Sequence, residues 1–265
     1  PIYQALCEAV VKATREVGSF ILNERRNFIS SAIEYKGKND LVSYVDRTAE
    51  TKLVEKLSQI LPEAGFLTEE KTIDPIEKEF QWIIDPLDGT TNFIHGIPCF
   101  CISIALHHFG QPVIGVVHEL NQDECFYAWK YGGAYMNGQT IRTSATADFQ
   151  QTLIATGFPY HDYSKMKKYM SVFDFCMRNT RGLRRLGSAA ADLAYVAAGR
   201  FDAFYEYGLN PWDVAAGILL VKEAGGIVTD FSGNDDPIKT KEILAATTPI
   251  HQPFLEVIRE QFKNS

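Results

Sequence analysis

Apolar residues near the start of the chain recur every three to four positions. Ile2, Leu6, Val10, Val17 and Ile21 would share one face of a helix, which predicts a long helix over residues 2–27. A second amphipathic stretch, R-T-A-E-T-K-L-V-E-K-L-S-Q-I at 47–60, predicts another helix, stopped by Pro62. Between them, E-Y-K-G-K-N-D-L-V-S at 34–43 is polar, holds a glycine and reads as a loop. From 80 to 128 the pattern changes to short runs rich in β-branched and aromatic residues: Q-W-I-I, C-F-C-I-S-I-A-L, P-V-I-G-V-V-H and E-C-F-Y-A-W. Turn signals separate them, and Y-G-G-A-Y-M-N-G-Q closes the series, so a sheet is expected here.

The second half mixes both periods. Helices are expected at 164–178, 187–198, 211–224 and 251–262, and strands at 151–156, 200–205, 226–230 and 241–245. Strands follow one another as well as alternating with helices. A layered α/β or α+β sandwich therefore fits better than a strict parallel βαβ repeat. There is no internal repeat or low-complexity tract. A soft boundary near Ser144–Asp148 suggests two intimate halves, roughly 1–145 and 146–265, of one catalytic domain over 1–265.

Composition narrows the function. At 265 residues and 46% hydrophobic the chain can bury a substantial core. Its net charge of -7 argues against nucleic acid or an anionic membrane as the main partner and suits a site for divalent cations. The five cysteines, Cys7, Cys99, Cys101, Cys125 and Cys176, match neither a zinc ribbon nor a disulfide framework, so free thiols in a reducing cytoplasm are expected. The most apolar long stretch, 93–117, is interrupted by His, Gly and Pro, which excludes it as a membrane span.

Four acidic clusters carry the candidate chemistry. In W-I-I-D-P-L-D-G-T-T-N-F, at 82–93, a strand-like run ends in Asp85 and Asp88, whose charges repel. Asp-Pro and Asp-Gly are ordinary turn dipeptides, which accounts for one acid and the glycine. Two carboxylates on one turn can instead share a divalent cation, while Gly89, Thr90 and Thr91 open a helix toward an anion. F-L-T-E-E at 66–70 ends in Glu69 and Glu70, most simply a solvated edge. In L-N-P-W-D-V-A-A-G at 209–217, Asn210 reads as an N-cap, Pro211 as the first helical residue and Asp213 as a first-turn acid. In D-L-V-S-Y-V-D at 40–46, Asp46 reads as the cap of the second helix. Together these acids fall at strand ends and helix starts, where open sheets place ligands.

The order E-E, D-P-L-D-G-T-T-N-F, P-W-D-V-A-A-G and E-A-G-G, with K-x-x-x-D-L-V at 36–42, resembles the inositol monophosphatase family, and most of all its bacterial inositol-1-monophosphatase branch. The resemblance implies a five-layer αβαβα sandwich, shared with fructose-1,6-bisphosphatase, and a cytoplasmic, homodimeric, magnesium-dependent phosphomonoesterase. By that resemblance Glu69, Asp85 and the carbonyl of Leu87 hold a first ion, with Thr90 nearby. Asp85, Asp88 and Asp213 hold a second, and a third leans on Glu69. Amides around Gly89 and Thr90 grip the phosphate, and Asp46 with Thr90 orients or deprotonates the attacking water. Gly187, Ser188, Ala189 and Glu206 contact the alcohol part of a small phosphorylated polyol.

Competing readings remain at this level. Haloacid-dehalogenase-like phosphatases carry D-x-D-G-T, one residue shorter than the D-x-x-D-G-T here, and expect a Rossmann-like repeat. A binding or regulatory protein that keeps the fold without the reaction is another. T-T-N-F favours inositol phosphate over the nucleotide-phosphate branch, which resembles D-G-T-K-E-F there, and over sugar bisphosphatases with D-G-S-S-N. Histidinol phosphate and sugar phosphates stay open. R-N-T-R-G-L-R-R at 178–185 reads as a solvated strand or dimer edge, with a second phosphate or an interface acid as the alternative. His95 reads as a packing residue beside the site, His107 and His108 as the polar end of a strand, and Asp192 and Asp202 as structural.

Overall fold

In chain order the elements of the computed structural model are α1 (Ile2–Arg26), β1 (Ile33–Gly37), β2 (Asp40–Ser43), α2 (Tyr44–Ile60), β3 (Gly65–Thr68), β4 (Phe80–Asp88), α3 (Thr90–His95) and β5 (Cys101–His108). Then come β6 (Gln111–Glu119), β7 (Glu124–Trp129), β8 (Gly133–Met136), β9 (Gln139–Ile141), β10 (Leu153–Thr156), α4 (Met166–Asn179) and β11 (Gly182–Arg184). The last are α5 (Ala189–Ala197), β12 (Ala203–Tyr207), α6 (Pro211–Glu223), β13 (Ile227–Thr229), α7 (Pro237–Thr240), β14 (Glu242–Ala246) and α8 (Thr248–Lys263). The structure describes residues 2–27, 33–37, 40–160 and 162–263, with backbone alone for 33–37 and 40–42.

Two large sheets organise the molecule. Strands β3 to β9 form one in sequence order, antiparallel except for the parallel β3–β4 pair. The other runs β11-β10-β12-β14-β13, parallel across its first three strands and antiparallel thereafter.

Side-chain burial sorts the helices into layers. One apolar cluster joins Val10, Val17 and Ile21 of α1 and Leu53 and Leu57 of α2 to Trp82, Ile84, Ile104 and Val116 on one face of the larger sheet. A second joins Tyr169 and Val172 of α4 and Phe254 and Ile258 of α8 to Ile154, Tyr205 and Leu244 on the smaller sheet. Helices α5 and α6 fill the middle, touching Ala105 and Val117 of one sheet and Ala155, Phe204 and Ala245 of the other. The expected αβαβα order is what the structure shows.

The middle layer explains an oddity of the sequence. α5 reads A-A-A-D-L-A-Y-V-A and α6 reads P-W-D-V-A-A-G-I-L-L-V-K-E, and all of α5 and the stretch Val214–Val221 of α6 are buried. A helix with a sheet on each side has no solvent face, so it is apolar all round, and small residues let it approach both neighbours.

One expectation is corrected. The stretch 34–43 is not a loop: β1 and β2 form an antiparallel hairpin with a bulge between Tyr35 and Gly37. Backbone hydrogen bonds make this pairing, and the alternation I-E-Y-K in β1 is too brief to mark a strand by itself. The K-x-x-x-D-L-V motif lies on this hairpin, with its side chains outside the described residues. β11 is an edge strand, as the basic run allowed. Among the described residues no helix is long and apolar enough to cross a membrane.

Candidate active site

The central motif sits at the end of β4, and its geometry depends on a bulge. Residues three apart on a regular strand point to opposite faces. Here Asp85 pairs with Ser103 but Asp88 with Cys101, three steps on β4 against two on β5. The extra residue, in the Pro86–Leu87 segment, shifts the parity, and both acids line one cavity. Proline is tolerated there because a bulge needs no ladder hydrogen bond from it. The Leu87 amide donates to Asp85 Oδ1 at 2.9 Å, bracing the turn.

Gly89 then turns the chain into α3 with φ +94°, and a Cβ there would lie 2.9 Å from the Cys99 carbonyl. Only glycine meets both demands. Thr90 follows as the first helical residue, and its hydroxyl lies 2.7 Å from Asp46 Oδ1 and 3.0 Å from the Leu87 carbonyl oxygen. One hydroxyl proton faces two acceptors. Given to Asp46, it leaves the Leu87 carbonyl available as a hard oxygen donor toward the cavity.

Asp46 is not the cap of α2, as the sequence suggested. Ser43 is the cap, and Asp46 sits three residues on, closing a capping box. Its Oδ2 accepts from the Ser43 amide at 2.9 Å and hydroxyl at 2.6 Å. The side chain is buried, which raises its pKa against the opposing hydrogen bonds, and it reaches the cavity only through Thr90.

Glu69 follows β3, beside β4, and is oriented by a residue with no signal in the sequence. Glu50 on α2 is fully buried and accepts from the Glu70 amide at 2.7 Å and from the Thr72 amide and hydroxyl, each at 2.8 Å. It clamps the 70–72 turn that presents Glu69.

Asp213 enters from α6. Asn210 caps that helix and Pro211 opens it, as expected, and the Asn210 amide donates to Asp213 Oδ2 at 2.7 Å. Asp88 is tied to α5: the Ser188 hydroxyl and the Ala190 amide each donate to its Oδ2 at 2.7 Å. Burial pushes its pKa up to about 6 despite those bonds and nearby Arg185.

Glu69, Asp85, Leu87, Asp88 and Asp213 line the same cavity as Gly89, Thr90, Gly187, Ser188, Ala189 and Glu206. Asp85 is the most crowded: burial first, then the charges of Glu69, Asp88 and Asp213 and a hydrogen bond with Glu69, push its pKa well above the carboxylate range. Among the described residues no three such side chains are already gathered as a bound ion would gather them. Charge accounts for this, since carboxylates without a cation between them repel one another, and the crowding of Glu69, Asp88 and Asp213 around Asp85 is that repulsion. The donor set fits divalent magnesium: carboxylates and a main-chain carbonyl, all hard oxygen, on the ends of rigid elements.

The far wall holds Glu206 on β12, buried, its pKa pushed up to about 8 by burial and Asp88 while Arg185 opposes the rise. Gly157 gives it room, since a Cβ there would lie 2.0 Å from its carboxylate. Two residues of this wall, Arg185 and Asp192, and one behind it, Asn92, were not singled out by the sequence as site residues. Arg185, from the basic run, lines the cavity with its guanidinium 5.5 Å from the centre of the Phe158 ring and 2.9 Å from the Tyr160 hydroxyl. Asn92, in the T-T-N-F motif, donates to the carbonyls of Cys99 (2.7 Å) and Leu186 (2.8 Å), joining α3 to the segment before α5. Asp192, read from the sequence as structural, lines the cavity too. Asp202 is structural, accepting from the Ser144 hydroxyl at 2.5 Å and the Leu153 amide at 2.7 Å. His95 is an exposed residue at the end of α3, and His107 is buried, which lowers its pKa to about 4.

Comparison with known proteins points the same way. The sequence model of the inositol monophosphatase family matches residues 3–263. An inositol-1-monophosphatase of Mesorhizobium japonicum is 39% identical over 257 residues, covering 97% of each chain. The Nus factor SuhB of Escherichia coli K12 is 39% identical over 256 residues, 96% of each chain. The crystal structure of the extragenic suppressor protein suhB from Bartonella henselae matches with a TM-score of 0.91 at 39% identity, covering 97% of this chain and 99% of that one.

Proposed function

Because the chain belongs to the inositol monophosphatase family, we propose that it is a magnesium-dependent phosphomonoesterase that hydrolyses inositol 1-phosphate to inositol and phosphate, acting in the cytoplasm as a homodimer. The observation that carries this reading is the arrangement around Asp85: three further carboxylates crowd it beside a threonine hydroxyl that is already hydrogen-bonded to a buried acid. Glu69, Asp85 and the Leu87 carbonyl would hold one ion, Asp85, Asp88 and Asp213 a second, and Glu69 would lean on a third. Bound divalent cations lower the pKa of a water, screen the phosphate charge and stabilise the departing alkoxide. Thr90, its proton directed at Asp46, keeps a lone pair to take the proton of the attacking water. The amides of Gly89 and Thr90 hold the phosphate, and Gly187, Ser188, Ala189 and Glu206 seat the alcohol.

Phosphate release from inositol 1-phosphate, histidinol phosphate, fructose 1,6-bisphosphate and 3'-phosphoadenosine 5'-phosphate, with magnesium and with EDTA, tests the reading. It expects metal-dependent release, fastest on inositol 1-phosphate. Faster release from another ester moves the substrate to that ester's class: histidinol, sugar or nucleotide phosphate. Silence on all four in a folded, magnesium-binding protein favours a non-catalytic role, a second reading supported by an equally similar relative bearing the name of a Nus factor.

The Thr90–Asp46 pair gives a sharper prediction. Thr90→Val removes the hydroxyl at nearly constant volume and lowers kcat by about 100-fold with KM little changed, within the range of general acid–base contributions. Thr90→Ser recovers most of the rate. Steady-state kinetics on the three proteins decide; a Val variant with wild-type kcat would remove Thr90 from the proton path.

A further inference from the structure

Asp192 has an unusual position for a carboxylate. It is the fourth residue of α5, 1% exposed, and its Oδ1 is buried with no hydrogen-bond partner, yet it lines the cavity beside Glu206. Buried polar atoms are rarely left without a partner in a native protein, and one facing a cavity points to a ligand that supplies the missing donor.

Its surroundings specify which donor. Arg185 lines the same end of the cavity, near enough for its charge to be felt by both Glu206 and Asp192. Tyr160 and Phe158 hold its guanidinium in place. The wall thus offers acceptors on two carboxylates and donors on one guanidinium. An ammonium group only donates, so it answers the carboxyl groups and leaves the Arg185 guanidinium without an acceptor. A second phosphate only accepts, so it answers Arg185 and leaves the unpartnered Asp192 oxygen without a donor. A hydroxyl donates to a carboxylate while accepting from the guanidinium, and neighbouring hydroxyls suit the whole wall.

We propose that Asp192 and Arg185, together with Glu206, read adjacent hydroxyl groups on the alcohol portion of the substrate, which makes this end of the cavity selective for a polyol phosphate over an amino-alcohol phosphate or a bisphosphate. The proposal rests on the phosphomonoesterase reading above and assigns Asp192 a contact with substrate.

The test compares the unmutated protein with Asp192→Ala and Asp192→Asn, using inositol 1-phosphate, histidinol phosphate and p-nitrophenyl phosphate, which bears no hydroxyls. In Asp192→Ala the ratio of kcat/KM for inositol 1-phosphate to that for p-nitrophenyl phosphate falls about 10-fold or more, the size of a lost hydrogen bond to a charged group. Asp192→Asn keeps an acceptor of the same shape and restores most of that ratio. Neither variant lowers the melting temperature, because each removes a buried carboxylate oxygen that had no partner. An unchanged ratio overturns the proposal. So does a lower melting temperature with all substrates equally impaired, or a larger loss on histidinol phosphate than on inositol 1-phosphate.

If the unmutated protein leaves p-nitrophenyl phosphate and both other esters intact with magnesium, the phosphatase reading fails separately. Calorimetric binding of the then unhydrolysed inositol 1-phosphate to the same three proteins still decides. Affinity about 10-fold weaker in Asp192→Ala supports the polyol contact. Equal affinity, or none in the unmutated protein, overturns it.

Discussion

In an Asp85→Asn variant, magnesium-dependent phosphate release falls by about 1,000-fold or more while the fold is retained. Asp85 is the residue whose charge interacts with Glu69, Asp88 and Asp213 together, so it is the one able to bridge two ions. Losing a bridging ligand forfeits several kcal/mol of stabilisation of the developing charge, and each 1.36 kcal/mol is about tenfold in rate. Stability moves the other way. The asparagine replaces the carboxyl group whose ionisation this crowded, buried set opposes, so without magnesium the variant melts at or above the unmutated protein. Magnesium, which raises the melting temperature of the unmutated protein by binding its folded state, does so weakly or not at all in the variant. Turnover assays and melting curves, each with magnesium and with EDTA, check both halves. Normal turnover in the variant would remove the two-ion assignment.

Glu50→Ala is expected to be the most damaging change outside the cavity. Its carboxylate receives the Glu70 amide and the Thr72 amide and hydroxyl in a fully buried position. Truncation leaves three donors without their acceptor, a cost of about 3 kcal/mol or more. In a chain of this size that lowers the melting temperature by roughly 6–12 °C. Glu50→Gln places an amide where Oε2 accepts from Glu70, loses about one of the three bonds and costs about 1–2 kcal/mol. Because the clamp sets Glu69, magnesium affinity in both variants drops by about 10- to 100-fold, the usual effect of removing a residue that orients a ligand. Thermal melting together with calorimetric magnesium titration tests this. A Glu50→Ala protein with unaltered melting and magnesium affinity would show that the 70–72 turn holds itself.

Much of the site was legible from local sequence because its parts are local devices. Asp85, Asp88 and Gly89 lie within one turn, and Asn210, Pro211 and Asp213 within one helix start. Each carries its own signature in residue type and spacing. The sandwich was legible for a related reason: the periods of α1, α2 and β4 to β7 are long enough to show, and strands that follow one another as well as alternating with helices spoke against a strict parallel repeat. The β1–β2 hairpin was not legible, since strands of five and four residues are too short to show a period.

What the chain order could not disclose is which distant residues share the cavity. Glu50 is just one more acid on a helix until α2 packs against the 70–72 turn. Arg185 belongs to a basic run on an edge strand until the 157–160 segment folds over it. Asp192 looks like a favourable first-turn acid until β12 brings Glu206 beside it, leaving one carboxylate oxygen without a partner. Identity and spacing along the chain determined the acids of β4 and α6, because strand ends and helix caps are built from neighbours within a few residues. The places of Glu50, Arg185 and Asp192 were decided by tertiary structure, because their charges act across space between segments that the sequence keeps far apart.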